Sequence, residues 1–128
     1  FGAGSGVLLR NAGGRFEVAD AGIRYAAGKV GPALTDFDGD GAIDLFVPQA
    51  DGGCKLFRND GRGKFADVIG KAGDLSKPIP GAVGAAWGDF DNDGRPDLLV
   101  CVLRGTNRYY RNNGDGTFAD KTAAVGLS

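Results

Sequence analysis

One feature narrows the possible folds of this chain more than any other: it repeats itself. The string Asp36-Phe37-Asp38-Gly39-Asp40-Gly41 returns as Asp89-Phe90-Asp91-Asn92-Asp93-Gly94, an offset of 53 residues. The same offset carries Asp44-Leu45 onto Asp97-Leu98 and Arg58-Asn59 onto Arg111-Asn112. It also carries Phe65-Ala66-Asp67 onto Phe118-Ala119-Asp120. A third, incomplete copy lies at the N-terminus, where Leu8-Leu9-Arg10-Asn11 and Phe16 match Leu56-Phe57-Arg58-Asn59 and Phe65 with one residue deleted from the turn. A fixed period of this size is the signature of tandem supersecondary units that bury their apolar faces against one another. The reading divides the chain into residues 1–30, the back half of one unit, and two whole units, 31–80 and 81–128. Residues 76–80, with prolines at 78 and 80, read as a connector, because proline cannot donate to an inner ladder.

Each whole unit reads as four short strands. In the second, these are expected near 83–88, 98–102, 107–111 and from 117 onward. The run Leu98-Leu99-Val100-Cys101-Val102 is continuously apolar and predicts a strand buried on both faces. Asn113-Gly114-Asp115-Gly116 is a hairpin turn of residues that tolerate positive φ. No segment holds a helical period. The fold class is therefore all-β, as β-propeller blades of four antiparallel strands, about two and a half blades in all. A sandwich with two similar halves is the alternative.

Composition agrees and excludes several functions. The 24 glycines cluster beside Asp and Asn, as tight turns between short strands require. With 42% apolar residues a packed core is within reach. Fifteen basic and 16 acidic side chains nearly cancel, which argues against a nucleic-acid surface. The absence of histidine removes the commonest general base and zinc ligand. No apolar run approaches the length of a membrane span. A chain that opens on Phe1 is expected to be a processed product or a piece of something longer. Cys54 and Cys101 read as small buried hydrophobes, with a disulfide between repeats as the alternative.

Eight of the fifteen aspartates fall in two nine-residue loops. Asp36, Asp38, Asp40 and Asp44 hold the first, third, fifth and ninth places of one, and Asp89, Asp91, Asp93 and Asp97 those of the other. Carboxylates two residues apart, with Gly41 or Gly94 permitting a sharp turn, can converge on one point. Four such groups repel one another unless a cation lies among them. Calcium takes six to eight hard oxygen ligands, so a backbone carbonyl is expected from the seventh position, Ala42 or Arg95. Two bound Ca²⁺ would take the formal charge from −1 to +3. The helical calcium hand is excluded, because its twelfth-position Glu is replaced by Val47 or Val100. Magnesium prefers fewer protein ligands and more water. A plain Asp-Gly turn is the competing explanation.

The loops 36–46, DFDGDGAIDLF, and 89–99, DFDNDGRPDLL, resemble the FG-GAP/VCBS repeats of integrin α-chain propellers and many bacterial secreted proteins. The tail 110–120, YRNNGDGTFAD, is similar to the cartilage-acidic-protein-like subgroup and its bacterial relatives. The resemblance implies a seven-bladed propeller, calcium in the strand-connecting loops, and an extracellular, periplasmic or cell-surface setting. Two and a half blades leave sheet edges unpaired. The chain is thus expected to be a fragment, to complete a ring with further copies, or to dock on a protein partner.

The recurrent Arg10, Arg58 and Arg111 are expected to bridge blades, and the asparagines after them to open the turn. Trp87 is expected between blades. Arg104, Arg108, Tyr109, Tyr110 and Arg111 form an aromatic-basic cluster, only alternate members of which can share a surface. The leading function is a calcium-binding interaction module, not an enzyme, that engages a protein or a glycan or serves as a structural subunit. The alternative is a fragment of a calcium-dependent polysaccharide-degrading enzyme.

Overall fold

A computed structural model describes residues 6–25, 30–49 and 51–127. The join expected near residue 30 borders residues 26–29, which lie outside the described residues. An N-terminal hairpin pairs β1 (Leu8–Asn11) with β2 (Phe16–Ala19) in antiparallel register. Two four-stranded antiparallel meanders follow. The first runs β3 (Ala33–Thr35), β4 (Asp44–Pro48), β5 (Cys54–Asn59) and β6 (Phe65–Asp67). The second runs β7 (Ala82–Gly88), β8 (Asp97–Val102), β9 (Arg108–Asn112) and β10 (Phe118–Asp120). Each sheet has the strand order of a propeller blade, and the expected strands fall within a residue of those observed.

Alternation along the strands decides which residues meet. Leu45 lies opposite Phe57 and Phe46 opposite Leu56, so the two pairs point to opposite faces of one sheet. Leu45, Val47 and Phe57 pack with Ile23, Tyr25 and Phe65. Phe46 and Leu56 meet Leu98, Val100, Tyr110 and Phe118 of the second sheet in the main core. Trp87 fills this junction as expected: its ring stacks on Phe37 at 12° and meets Phe46 edge-on at 86°.

Two expectations are corrected. β8 is not buried on both faces: Leu99 is only half-buried and Cys101 is exposed, whereas every residue of β4 is buried. β4 has a packed layer on each side, while β8 has one only toward the first sheet. Cys101 is accordingly no buried hydrophobe, although Cys54 is, and both thiols are free. Residues 77–80 lie outside the strands, as expected of the connector. It follows two 3₁₀ turns, Ile69–Lys71 and Asp74–Ser76. Ile79 is buried, and its N–H donates to the Gly52 carbonyl at 2.7 Å, pinning the linker to the first sheet.

Candidate cation loops

Both aspartate loops join the first strand of a sheet to the second, and both are wound by their own carboxylates. Asp36 accepts hydrogen bonds from the backbone N–H of Gly39 (2.8 Å), Asp40 (3.1 Å) and Gly41 (2.8 Å). Asp89 accepts from Asp93 (3.0 Å) and Gly94 (2.9 Å). Closing so tight a loop needs left-handed backbone at two places. Gly41 and Gly94 supply it at the sixth position, with φ of 88° and 84°. Gly39 (76°) and Asn92 (60°) supply it at the fourth, where Asn tolerates that conformation. Further along, Asp40 accepts from the Ala42 N–H and Asp93 from the Arg95 N–H, each at 2.9 Å.

The carboxylates converge, though not all of them. Oxygens of Asp36, Asp38 and Asp40 lie within 4.8 Å of one another in the first loop, and those of Asp89, Asp91 and Asp97 do so in the second. Asp44 stands outside the first group and Asp93 outside the second. The ninth-position residues have another duty. Asp44 is 1% exposed and accepts from the N–H of Phe37 (3.1 Å) and Asn59 (2.8 Å). Asp97 is 0% exposed and accepts from Phe90 N–H (3.2 Å), Asn112 N–H (2.9 Å) and the Tyr109 hydroxyl (2.8 Å). Each thus ties the loop's second residue to the third strand of its sheet. Burial raises the Asp44 pKa against the lowering effect of those N–H donors. Burial and then the bond to Asp97 raise that of Tyr109.

Two arginines with no expected part in the loops complete them. Arg58 donates to Asp38 and, at 2.8 Å, to Asp40. Arg111 donates to Asp91 at 2.6 Å and Asp93 at 3.1 Å. They reach back into their own repeat and do not bridge blades as expected. The third copy, Arg10, pairs with Glu17 at 3.4 Å on the exposed hairpin. The Arg111 guanidinium holds the Asp91 carboxyl below its usual range. Arg95, expected to act through its carbonyl, also pairs through its side chain with Asp93. The recurrence of Arg at the 53-residue offset was the available signal, but which loop it reaches depends on tertiary placement. The asparagines act as expected: Asn59 and Asn112 side chains each accept the N–H two residues on, at 3.0 and 2.9 Å.

The donor set is all hard oxygen, negatively charged and gathered within a few ångströms on a backbone wound to hold it. That chemistry fits a hard divalent cation of calcium's type.

The FG-GAP-like repeat model matches residues 36–100 and again 89–128. Cartilage acidic protein 1 of Mus musculus is 35% identical over 100 residues, 75% of this chain and 15% of that protein. The Homo sapiens protein is 34% identical over 100 residues, covering 75% of the chain and 14% of its own length. The Xenopus tropicalis protein is 29% identical over 105 residues, 80% of the chain and 16% of that protein. The chain therefore spans about one seventh of these relatives. With the loop motif, the 53-residue period and the four-stranded sheets in agreement, the chain belongs to the FG-GAP-like repeat family.

Proposed function

We propose that this repeat module binds two calcium ions, one per aspartate loop, and uses them to rigidify stacked β-sheets for extracytoplasmic protein interaction. The observation carrying the reading is the convergence of three carboxylates within 4.8 Å in each of two loops. Asp36, Asp38 and Asp40 would hold one ion; Asp89, Asp91 and Asp97 would hold the other, with Ala42 and Arg95 as carbonyl donors. Calcium would supply positive charge where like charges otherwise repel, and would tie the first strand of each sheet to the second. The relatives' name, which places them in cartilage, supports an extracellular setting.

The partner in this reading is a further repeat of the same kind. The 53-residue offset maps Phe37, Phe46 and Leu56 onto Phe90, Leu99 and Tyr109. The first set is covered by the second sheet, and Phe37 is 4% exposed. The second set lies on the outer face, where Phe90 is 56% exposed and shares a groove with Leu99, Tyr109 and Val125. An apolar face of this kind marks an interface.

The test is thermal melting of the chain in calcium and in excess chelator. A ligand that binds only the native state raises stability by mass action, about 2.7 kcal/mol at a hundredfold excess over Kd. A clear fall in Tm on chelation, restored by calcium, is expected. Identical melts would overturn the reading.

A further inference from the structure

We infer that Arg58 and Arg111 act as built-in cation surrogates, holding the aspartate loops together when no metal is present and competing with metal for the same carboxylates. The inference rests on the calcium reading for its second half only.

Arg58 and Arg111 are placed alike in the two repeats, and in the second the Arg95 side chain adds a further pair to Asp93. Asp38 gives one carboxylate oxygen to the Asp40 N–H and the other to Arg58. Asp40 gives one to the Ala42 N–H and the other to the same guanidinium. Asp91 and Asp93 repeat the scheme with the N–H of Asp93 and Arg95 on one side and Arg111 on the other. A planar fork suits this task, because two of its N–H groups can address two carboxylates at once. Each arginine removes one positive charge's worth of repulsion from a loop of four aspartates.

The carboxylates it grips are the third- and fifth-position groups. Of these, Asp38, Asp40 and Asp91 belong to the converging sets. A cation entering either loop therefore meets a guanidinium already bonded to its ligands. The pairs are partly exposed, with Arg58 and Arg111 side chains 46% and 41% accessible. They are weak enough to be displaced, and salt screens them.

The experiment compares the unmodified chain with Arg58→Gln, Arg111→Gln and the double variant. Arg10→Gln serves as control, since Arg10 pairs only with Glu17 among the described residues. Melting in chelator reads the first half; calorimetric titration with calcium chloride reads the second. Expected are a lower Tm in chelator for each loop variant, and calcium binding roughly threefold to tenfold tighter at that loop. The calcium-induced rise in Tm should grow accordingly, while Arg10→Gln changes nothing. An unchanged melt in chelator overturns the surrogate role. Weaker calcium binding by the variants overturns the competition, making the arginines supports of the metal site. If neither form binds calcium, the calcium reading falls and the competition with it, and the chelator melt still decides whether the arginines hold the loops. Arg58→Lys and Arg111→Lys, which keep charge but lose the fork, should fall between.

Discussion

The side-chain amide of Asn112 donates to the Phe37 carbonyl at 2.8 Å, joining two residues 75 positions apart in different repeats. Asn112 is 0% exposed, and the same amide donates to the Pro96 carbonyl at 3.0 Å. The first aspartate loop is thereby hung on the second sheet. Among the described residues its repeat counterpart, Asn59, donates only within its own unit, to Ile43 at 3.0 Å. Asn112→Ala strands two carbonyls beside the core, so it should cost about 2–3 kcal/mol, against about 1 kcal/mol for Asn59→Ala. Urea unfolding measures both. Equal losses would mean that the inter-repeat bond contributes nothing.

Phe46 and Leu99 occupy the same place in successive repeats and face different surroundings. Phe46 is fully buried between sheets, and truncation to Ala should cost about 3–5 kcal/mol. Leu99 looks outward, and Leu99→Ala should cost less than about 1.5 kcal/mol in dilute protein. A full-sized loss at Leu99 would indicate that the outer face is already covered in solution, and sedimentation at the same concentration would identify a second copy as the cover.

This pair also shows where reading the sequence succeeds and where it stops. The offset located nearly every strand, because each strand's ends are set locally by the Asp-rich loops and the Asn-Gly turns. Alternation told which of Leu98 and Leu99 share a face with Val100, but not which face has a neighbour. That depends on how many layers stack, a fact of tertiary structure. The same limit applies to the loops. Spacing assigned Asp44 and Asp97 as ligands equal to the others. Yet both begin a strand, and their carboxylates meet the N–H groups of residues 15 positions later as well as the loop's own. Arg58 lies on the third strand of its sheet, and only the antiparallel return brings it back over its loop.

Gly73 separates a steric requirement from a merely conformational one. Its φ is 67°, and a Cβ there would lie 2.9 Å from the Phe118 carbonyl oxygen and 3.2 Å from Thr117 Cβ. Gly14 has φ of 90° with nothing near. Gly14→Ala should therefore cost about 1 kcal/mol of backbone strain alone. Gly73→Ala must also push β10 away from the linker, so its loss should reach at least about 2 kcal/mol. Chemical denaturation distinguishes them, and equal losses would count against close contact between linker and β10.

Asp74 couples that linker to the sheet through charge. Its carboxylate accepts from Lys77 Nζ at 2.7 Å and from the Asp120 N–H of β10 at 3.1 Å. The Lys77 bond first, then the Asp120 bond, lowers its pKa from the ordinary 3.8. A carboxyl whose folded pKa is depressed contributes stability above its unfolded pKa, and loses that contribution as pH falls through the folded value. Asp44, raised by burial, has the opposite sign, so the acid limb of the wild-type profile alone is ambiguous. Comparison with Asp74→Asn isolates one group. The variant should be less stable than wild type at pH 6, and the gap should close as pH drops below about 3.8 toward full protonation. A gap that stays constant with pH would show that Asp74 holds β10 through shape alone, without help from its charge.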